Sequence, residues 1–328
     1  MDDDRARRLL SGPRGRRFVA ELLDDPLFVH PGRAVDWPAD VRRRVAETDP
    51  VPAVQEDRLV AAVTASVVDA TYWQEPYDVD VVLADDEVAA ELLPLARAAA
   101  AAPATGWWAE PFVPRDHHVV AWPGDDGRVE LPRGGADPGA WREATIAEEV
   151  RAQRERPTDP RASWSGEWWA LPHLAGCTVT RPVPAALSWV EDARGETTGR
   201  SWPVTPPPGA RVLEVAGPAD WVGLVERFPL VVTASRRHDW WRVTGEDEGW
   251  VIPDWSVVAD EYDAVHLTVD GYLATAGRAL PVHTPDGPAG TVLAGWDPGT
   301  TWWLTAVAAD LEAATDWGWS GGSWARVG

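Results

Sequence analysis

Cationic and titratable side chains follow one another in VTASRRHDWWRVTGEDEGWVIPDW, residues 232–255. Arg236 and Arg237 can hold a phosphate or carboxylate group through paired hydrogen bonds. His238 can exchange a proton near neutral pH, which suits an acid–base catalyst. Trp240 can stack on a planar ligand beside them. These residue types at this spacing predict a site for an anionic molecule, with His238 as a catalytic residue.

The same side chains also have an ordinary structural interpretation. The chain contains 52 acidic residues, and Arg236 and Arg237 can pair with surface carboxylates, each pair contributing about 0–1 kcal/mol. Arg242 can stack on Trp240 as a cation–π pair, either as part of the ligand site or as packing alone. The sequence leaves both interpretations open.

Tyr262, Asp263 and His266 belong to the stretch YDAVHLT, and we assign them to the opposite wall of the same site. AVHLT is typical of a strand. If this strand lies beside a strand at 230–235, then Asp263 and His266 approach the arginines. Asp263 and His266 are therefore predicted catalytic residues together with His238. A histidine with a purely internal role is the alternative for His266.

The elements that must position these side chains are predicted from local patterns. WWRVT and GWVI flank the polar connection GEDEG, which is typical of a β-hairpin. The stretches DWVGLVERFPLVVT, from residue 220, and DWSVVADEYDAVHLT, from residue 254, each predict a helix followed by a strand on one sheet. Asp220 and Asp254 are predicted to cap those helices.

The fold class predicted for the whole chain is α+β. Residues 1–160 are expected to form a mainly helical domain, from their 3-4 spacing of apolar residues, with a β-hairpin near 117–131. Residues 161–328 are expected to form a mixed-sheet α/β domain with two similar helix–strand units. We expect the ligand site in this second domain.

Charge and composition exclude several function classes. The net charge is −22, and all 30 basic residues are arginine, so lysine chemistry is excluded. Phosphate-backbone binding needs a broad basic surface, so nucleic acid is not expected as a partner. The single cysteine, Cys177, excludes an internal disulfide, and no apolar stretch reaches the roughly 18 residues of a membrane span. We expect a cytoplasmic protein without a membrane partner, and no motif predicts a metal site.

The chain contains 22 tryptophans, four of which are followed directly by another. Because neighbours on a strand point to opposite faces, such doublets predict one buried member and one on a second surface. Most of these tryptophans are expected to fill a core that is poor in other large apolar residues. Aromatic platforms for a planar ligand or a sugar are the alternative.

The blocks YWQEP, TASRRHDWWR, GWVIPDW, YDAVHLT and AGWDP resemble a family of cytoplasmic proteins of high-GC Gram-positive bacteria, to which no activity is attached. WWRVTGEDEGWVIPDW also resembles the hairpin of bacterial SH3-like domains. A further resemblance, to ADP-ribosyltransferase folds, implies that Arg181 helps to hold NAD as a cofactor and that tryptophans stack on nicotinamide. No glutamate on a late strand matches that pattern, and this departure leaves the catalytic step unassigned.

Two function hypotheses follow. The first is a protein that binds an anionic, nucleotide-like small molecule in its C-terminal domain, with ADP-ribosyltransferase-like group transfer as the expected reaction class. Its predicted ligand-binding residues are Arg236, Arg237, Trp240, Arg242, Tyr262 and Arg181. The second is a non-enzymatic, acidic interaction protein of the immunity or antitoxin kind, whose partner is a basic protein.

Overall fold

Helices dominate the first 160 residues of the computed structural model, and most strands follow them. The structure describes residues 2–29, 34–124, 126–131, 137–172, 177–180, 183–191, 193 and 195–327. The α-helices are α1 Asp2–Leu9, α2 Pro13–Ala20, α3 Trp37–Glu47, α4 Pro50–Ala53, α5 Glu56–Val68, α6 Asp78–Leu83, α7 Asp86–Glu91, α8 Leu93–Ala101, α9 Pro138–Glu155, α10 Val183–Ser188, α11 Pro218–Arg227, α12 Thr233–Thr244, α13 Trp255–Glu261 and α14 Val269–Thr275. A 3-10 helix spans Pro103–Ala109.

Nine strands form one mixed sheet in the order β13-β12-β3-β1-β2-β10-β7-β4, with β11 attached to β3. The strands are β1 His117–Ala121, β2 Cys177–Thr180, β3 Thr198–Thr205, β4 Val212–Val215, β5 Pro229–Val231, β6 Val251–Pro253, β7 Ala264–Leu267, β8 Leu280–Thr284, β9 Gly287–Thr291, β10 Thr300–Trp303, β11 Ala308–Ala309, β12 Thr315–Ser320 and β13 Ser323–Arg326. β4 and β7 run parallel. The pairs β5-β6 and β8-β9 form separate two-stranded sheets. The predicted α+β class is confirmed.

The predicted hairpin near residues 117–131 is wrong. The tight turn exists, with the amide of Gly124 donating to the carbonyl of Arg128, but β1 pairs with β2 and β3. Its apolar side chains pack against Trp202 and Val204 of β3, which makes the distant strand the better partner. The sheet and the main core cluster both contain residues from either side of position 160, so the predicted boundary does not coincide with a break in the core.

The predicted hairpin within residues 232–255 is also wrong, because most of its first half is α12. This helix ends at Thr244, and Gly245 adopts φ 75°, the left-handed conformation that commonly closes a helix. The amides of Ala234 and Ser235 in its first turn donate to the carboxylate of Glu149 on α9. The residues WWRVT were therefore wrongly predicted as a strand, and the helix that they form is capped at its start by Glu149 of α9.

The two similar helix–strand units are present as α11 with β5 and α13 with β7. They do not share a sheet, since β5 pairs with β6 and β7 lies in the nine-stranded sheet. Asp254 caps α13 as predicted, accepting from the amide of Ser256. The predicted cap at Asp220 is wrong: Gly217 occupies the N-cap position of α11, and Asp220 lies in the first turn, where it accepts from the amide of Ala216.

Tryptophans fill the centre of the fold. Trp255 packs edge-to-face against Trp302, with ring centroids 4.8 Å apart, and against Trp296 at 6.0 Å. Eight tryptophans are among the largest fully buried side chains: Trp189, Trp221, Trp240, Trp250, Trp255, Trp296, Trp302 and Trp303. The core-filling interpretation is confirmed for these eight, while Trp73, Trp164, Trp241 and Trp319 retain exposed surface.

A buried carboxylate joins the N-terminal and C-terminal parts of this core. One oxygen of Glu191 accepts from the hydroxyls of Tyr72, over 2.8 Å, and Tyr272, over 2.7 Å. The other oxygen accepts from the amides of Gly295 and Trp296. Burial raises the pKa of Glu191 to about 8, and the donated hydrogen bonds oppose that shift. Four donors around two oxygens stabilise the ionised form, so they keep this pKa below the value that burial alone would give.

We expect the Glu191→Gln variant to be less stable by about 3 kcal/mol, because the amide nitrogen of glutamine would face donors instead of offering them an acceptor. Tyr272→Phe, the matched control, removes one hydrogen bond and should cost about 1 kcal/mol. Urea unfolding at pH 9, above the pKa of the buried carboxyl, measures both. A loss in Glu191→Gln no larger than in Tyr272→Phe would mean that the carboxyl is held protonated.

Candidate functional site

A cavity of about 330 Å³ opens between α2, α6 and residues 277–278, which lie just after α14. Arg14 and Arg16 of α2, Tyr72, Asp80 of α6 and Arg278 line it. Its volume lies at the lower end of the range for small-molecule sites. The cavity therefore lies between helices of the N-terminal region and the C-terminal region, where no single motif marks it in sequence.

Two glycines, Gly12 and Gly277, allow the segments that line one side of the cavity to pack closely together. A Cβ at Gly12 would lie 2.6 Å from the carbonyl oxygen of Ala274 in α14. Gly277 adopts φ 75°, a conformation that favours glycine, and a Cβ there would lie 2.8 Å from Cε1 of Tyr72. These contacts bring α2, Tyr72 and residue 278 to one place.

Arg14, Arg17 and Asp80 form a buried ionic cluster at the cavity. Nη2 of Arg14 lies 3.4 Å from Oδ2 of Asp80, and Nη1 of Arg17 lies 3.6 Å from Oδ1. Arg14 donates from Nη1 to the carbonyl oxygen of Ser66 over 2.8 Å. Burial opposes its charge, but Asp80 and other acidic neighbours raise the pKa of the Arg14 guanidinium above its ordinary value. Arg14 is therefore a cation here.

Arg16 and Arg278 add two further cations to the lining. Arg16 donates to three backbone carbonyls, including that of Leu83, and pairs with Asp86 over 2.8 Å, so its donors are in use. Arg278 donates from Nη1 to the carbonyl oxygen of Ser11 over 2.7 Å, and none of the ion pairs found in the described ranges involves it. Burial, followed by the charge of Arg16, lowers the pKa of Arg278. An anion beside Arg278 would reduce this repulsion.

A second, more open depression of about 580 Å³ adjoins the cavity, and Gln74 belongs to both linings. Trp73 and Trp164 form its aromatic walls. Arg242 holds the two loops in place, donating to the carbonyl of Trp73 over 2.9 Å and to the carbonyl of Trp164, and pairing with Asp239 over 2.7 Å. The loop YWQEP thus separates a cationic cavity from an aromatic surface.

The residues predicted to bind the anion do not converge on a common hollow. Arg236 is 1% exposed, donates from Nε to the carbonyl of Trp169 and pairs with Glu167 over 3.0 Å. Arg237 donates to the carbonyl of Pro157. His238 is buried, and burial lowers the pKa of its imidazole. Successive helical residues point about 100° apart, so a helix in place of a strand end disperses these three side chains.

Trp240 and Arg242 are structural in this arrangement. The indole of Trp240 is fully buried, donates to the carbonyl of Trp168 over 2.7 Å and packs edge-to-face on Trp250. The predicted stacking of Arg242 on Trp240 is wrong, because positions two apart on a helix face different directions. A cation–π pair does form next to it, between Arg161 and Trp241.

Tyr262, Asp263 and His266, predicted as the opposite wall of the site, lie at the end of α13 and on β7, away from α12. Arg227 stacks on Tyr262 and donates to its hydroxyl over 3.0 Å. Asp263 pairs with Arg211 over 3.1 Å, and this hydrogen-bonded partner lowers the pKa of Asp263. β7 and the strand that precedes α12 are not sheet neighbours, so these residues do not face Arg236. Arg181 lies outside the described residues, and its predicted role with NAD stays a prediction.

His266 belongs to a row of polar side chains across one face of the large sheet. Glu214, His266, Thr301 and Thr178 are neighbours in the strand ladder, and His117 contacts Thr178. Burial lowers the pKa of His266 to about 4, with a smaller effect from His117, and burial raises the pKa of Glu214 to about 7. The cavity beside His266 measures about 20 Å³, which is room for one water molecule. Among the described residues, the cavity that His266 lines is too small for a substrate-sized ligand, which favours a structural role for this row.

Comparison with known proteins gives no match for this chain among family models, curated proteins or solved structures. Within the ranges that the structure describes, no helix is long and apolar enough to cross a membrane. No group of three or more histidine, cysteine, aspartate or glutamate residues in those ranges could hold a metal ion.

The cavity residues were missed because each belongs to a different local pattern. Arg14, Arg16 and Arg17 follow one another at the start of a helix, where they look like a solvated basic turn. Arg278 follows Gly277 in a short connection that the sequence presents as a helix end. Tyr72 and Gln74 of YWQEP, a block quoted above only for a family resemblance, line the cavity, and so do Val243 and Thr244 at the end of α12.

The buried, neutral His266 makes stability depend on pH. The unfolded chain takes up this proton near pH 6.5 and the folded chain only near pH 4. Acidification through that window therefore lowers the free energy of unfolding, by up to about 3 kcal/mol for a shift of this size. We expect His266→Gln, whose amide can keep the bond to Thr301, to lose less stability than the wild type between pH 7 and pH 4.

Urea unfolding at the two pH values measures this difference. His283→Gln, at an exposed position, is the control and should follow the wild type. Equal losses in wild type and His266→Gln would show that His266 does not resist protonation in the folded protein.

Proposed function

We propose that this protein binds a small anionic molecule in the cavity lined by Arg14, Arg16 and Arg278. Arg278 carries the proposal: it is a partly buried guanidinium with one carbonyl acceptor, no carboxylate partner within the described residues, and a second cation beside it. Arginine holds phosphate and carboxylate groups through paired hydrogen bonds. In a chain of net charge −22, the described lining of this cavity has a small excess of positive charge, since these three arginines face two aspartates, Asp69 and Asp80.

The surroundings favour a small ligand over a polymer. Outside the cavity the acidic chain repels extended phosphate backbones. The adjoining aromatic depression, with Trp73 and Trp164, offers faces on which a planar ring can stack. A nucleotide-like molecule, with its anion at Arg278 and its ring towards Trp73, fits this arrangement. NAD is one such molecule, and ADP-ribosyl transfer is proposed only as the reaction class to test if it binds.

Binding should be measured by thermal shift with a panel of nucleotides, sugar phosphates, NAD and small carboxylates. A ligand present at about 100 times its dissociation constant stabilises the folded state by about 2.7 kcal/mol. We expect at least one anionic member to raise Tm, and we expect Arg278→Met to weaken its binding by roughly 10-fold to 100-fold, the loss of a charged hydrogen bond.

Arg154→Met is the matched control, since Arg154 is an exposed arginine on α9 away from the cavity lining. This variant changes the net charge equally and should bind as the wild type does. Binding that is unchanged in Arg278→Met, or an equal loss in Arg154→Met, would contradict this assignment of the site.

A second candidate function has an observation of its own. An open groove of about 850 Å³ runs between the outer face of α5 and the β12-β13 hairpin. Val60, Val68 and Trp319 make it apolar, and Trp319 keeps 41% of its surface exposed. Glu56 and Asp57 lie at one end, and its described lining contains no arginine. As an alternative, we propose that a basic, amphipathic segment of a partner protein docks here, as for an immunity or antitoxin protein.

This alternative predicts binding of a synthetic helical peptide with leucines at 3-4 spacing and lysines elsewhere. Its affinity should fall as salt rises, because exposed charges are screened, and should fall about tenfold in Trp319→Ser, the loss expected for an aromatic anchor. Trp164→Ser removes a comparably exposed tryptophan outside the groove and is the control. A glutamate version of the peptide that binds equally well, or equal binding by Trp319→Ser, would contradict docking in the groove.

A further inference from the structure

On the basis of the proposed function above, we propose further that the anion bound in the cavity carries hydroxyl groups, one of which bonds to Asp80. The ligand class is a polyhydroxylated anion, either a sugar phosphate or a sugar acid. Arg278 binds the charged group, and the carboxylate of Asp80 accepts a hydrogen bond from the hydroxyl. The proposed ligand class is thereby restricted from any small anion to one that carries both an anionic group for Arg278 and a hydroxyl for Asp80.

Asp80 is a buried carboxylate whose acceptors are unused. Its residue surface is 7% exposed, and its closest cationic atoms lie 3.4 Å and 3.6 Å away, on Arg14 and Arg17. Hydrogen bonds from nitrogen to oxygen measure about 2.7–3.2 Å, so these are ion pairs without hydrogen bonds. Neither oxygen of Asp80 accepts a hydrogen bond from any residue in the described ranges. A buried acceptor in this state is destabilising until a donor reaches it.

The same place also has unused donors. Nε of Arg14 and Nη1 of Arg17 are buried and donate to no described acceptor. A hydroxyl group both donates and accepts, so one hydroxyl can donate to Asp80 while its oxygen accepts from Arg14. A ligand hydroxyl meets both requirements with a single neutral oxygen atom.

Charge argues for a hydroxyl rather than an ammonium group. Arg14 and Arg17 already balance the Asp80 carboxylate, and Arg16 and Arg278 line the same cavity. An ammonium group would add a cation to this set and be repelled. A hydroxyl donates to the carboxylate without adding charge, so amino-acid-like zwitterions are disfavoured and polyols are favoured.

The rest of the wall suits further hydroxyls. Thr71 and Gln74 line the cavity and already bond to each other over 2.9 Å, which holds both polar ends in place. Thr244 lies in the same lining. The volume of about 330 Å³ accommodates a molecule of sugar-phosphate size.

Calorimetric titration of the full chain tests this with two matched pairs of ligands. Ribose 5-phosphate is compared with pentyl phosphate, and gluconate with hexanoate. In the wild type we expect the hydroxylated member of at least one pair to bind about tenfold or more tightly than its alkyl counterpart, from charged hydrogen bonds at Asp80. The pair that responds identifies the anion as phosphate or carboxylate.

Two variants locate the effect. Asp80→Asn should abolish most of the preference for the hydroxylated ligand and leave alkyl-anion binding within about twofold, because the anion contacts Arg278. Asp69→Asn is the matched control: it also lines the cavity and pairs with Arg17, over 2.5 Å, and it should retain the preference. Arg278→Met should weaken both members of a pair equally.

The outcomes separate this inference from the proposed function. Alkyl anions that bind as tightly as their hydroxylated partners overturn the role of Asp80 while anion binding stands. If no anion binds the wild type, both the proposed function and this inference are overturned. Because the wild-type comparison needs no variant, instability of Asp80→Asn does not prevent the test.

Discussion

Four hydrogen bonds to the carboxylate of Glu191 hold distant parts of this chain at one point. Tyr72 comes from the loop after α5, Tyr272 from α14, and the amides of Gly295 and Trp296 from the segment before β10. The two hydroxyls and the amide of Trp296 are buried and the amide of Gly295 is partly buried, so these donors would lose their partner if the carboxylate moved. Since Tyr72 also lines the cationic cavity, the shape of the candidate site depends on the same buried group.

Among the described residues, arginine side chains provide most of the other side-chain hydrogen bonds between distant segments. Its planar group carries five donors, which lets one side chain bond to carbonyls of separate segments. Arg5 joins α1 to Asp270 of α14 and to the last turn of α8 through the carbonyl of Ala100. Arg242 joins the loops at Trp73 and Trp164 in the same way. Arg278 differs from these in having one carbonyl acceptor, and this is why it points to a ligand rather than to structure.

Patterns within one element predicted that element well, while partners from distant segments were not predictable. The helices of residues 1–160, the α+β class and the cap at Asp254 follow from local spacing and local hydrogen bonds. The helix α12 was mistaken for a strand because its first amides bond to Glu149, about 85 residues earlier. The hydrophobic pattern of five alternating residues does not distinguish the two structures without that partner.

The candidate site shows the same limit. Arg236, Arg237 and His238 were chosen because they are adjacent in sequence, yet side chains at successive helical positions diverge. The cavity residues lie far apart in sequence, and Arg14, Asp80 and Arg278 meet through packing of α2 against α6 and α14. Residue types alone can suggest the chemistry of an anion site, but where cationic side chains meet depends on tertiary contacts, and the anion site itself stays a proposal.

Gly277 lies next to both the buried Glu191 cluster and the cavity, because it packs against Tyr72. Because a Cβ at this position would lie 2.8 Å from the ring of Tyr72, a single additional carbon atom would push that ring aside. The displaced ring would draw its hydroxyl away from Glu191 and, at the same time, reshape the wall next to Arg278. One missing methyl group thus couples the integrity of the protein interior to the geometry of the cavity beside Arg278.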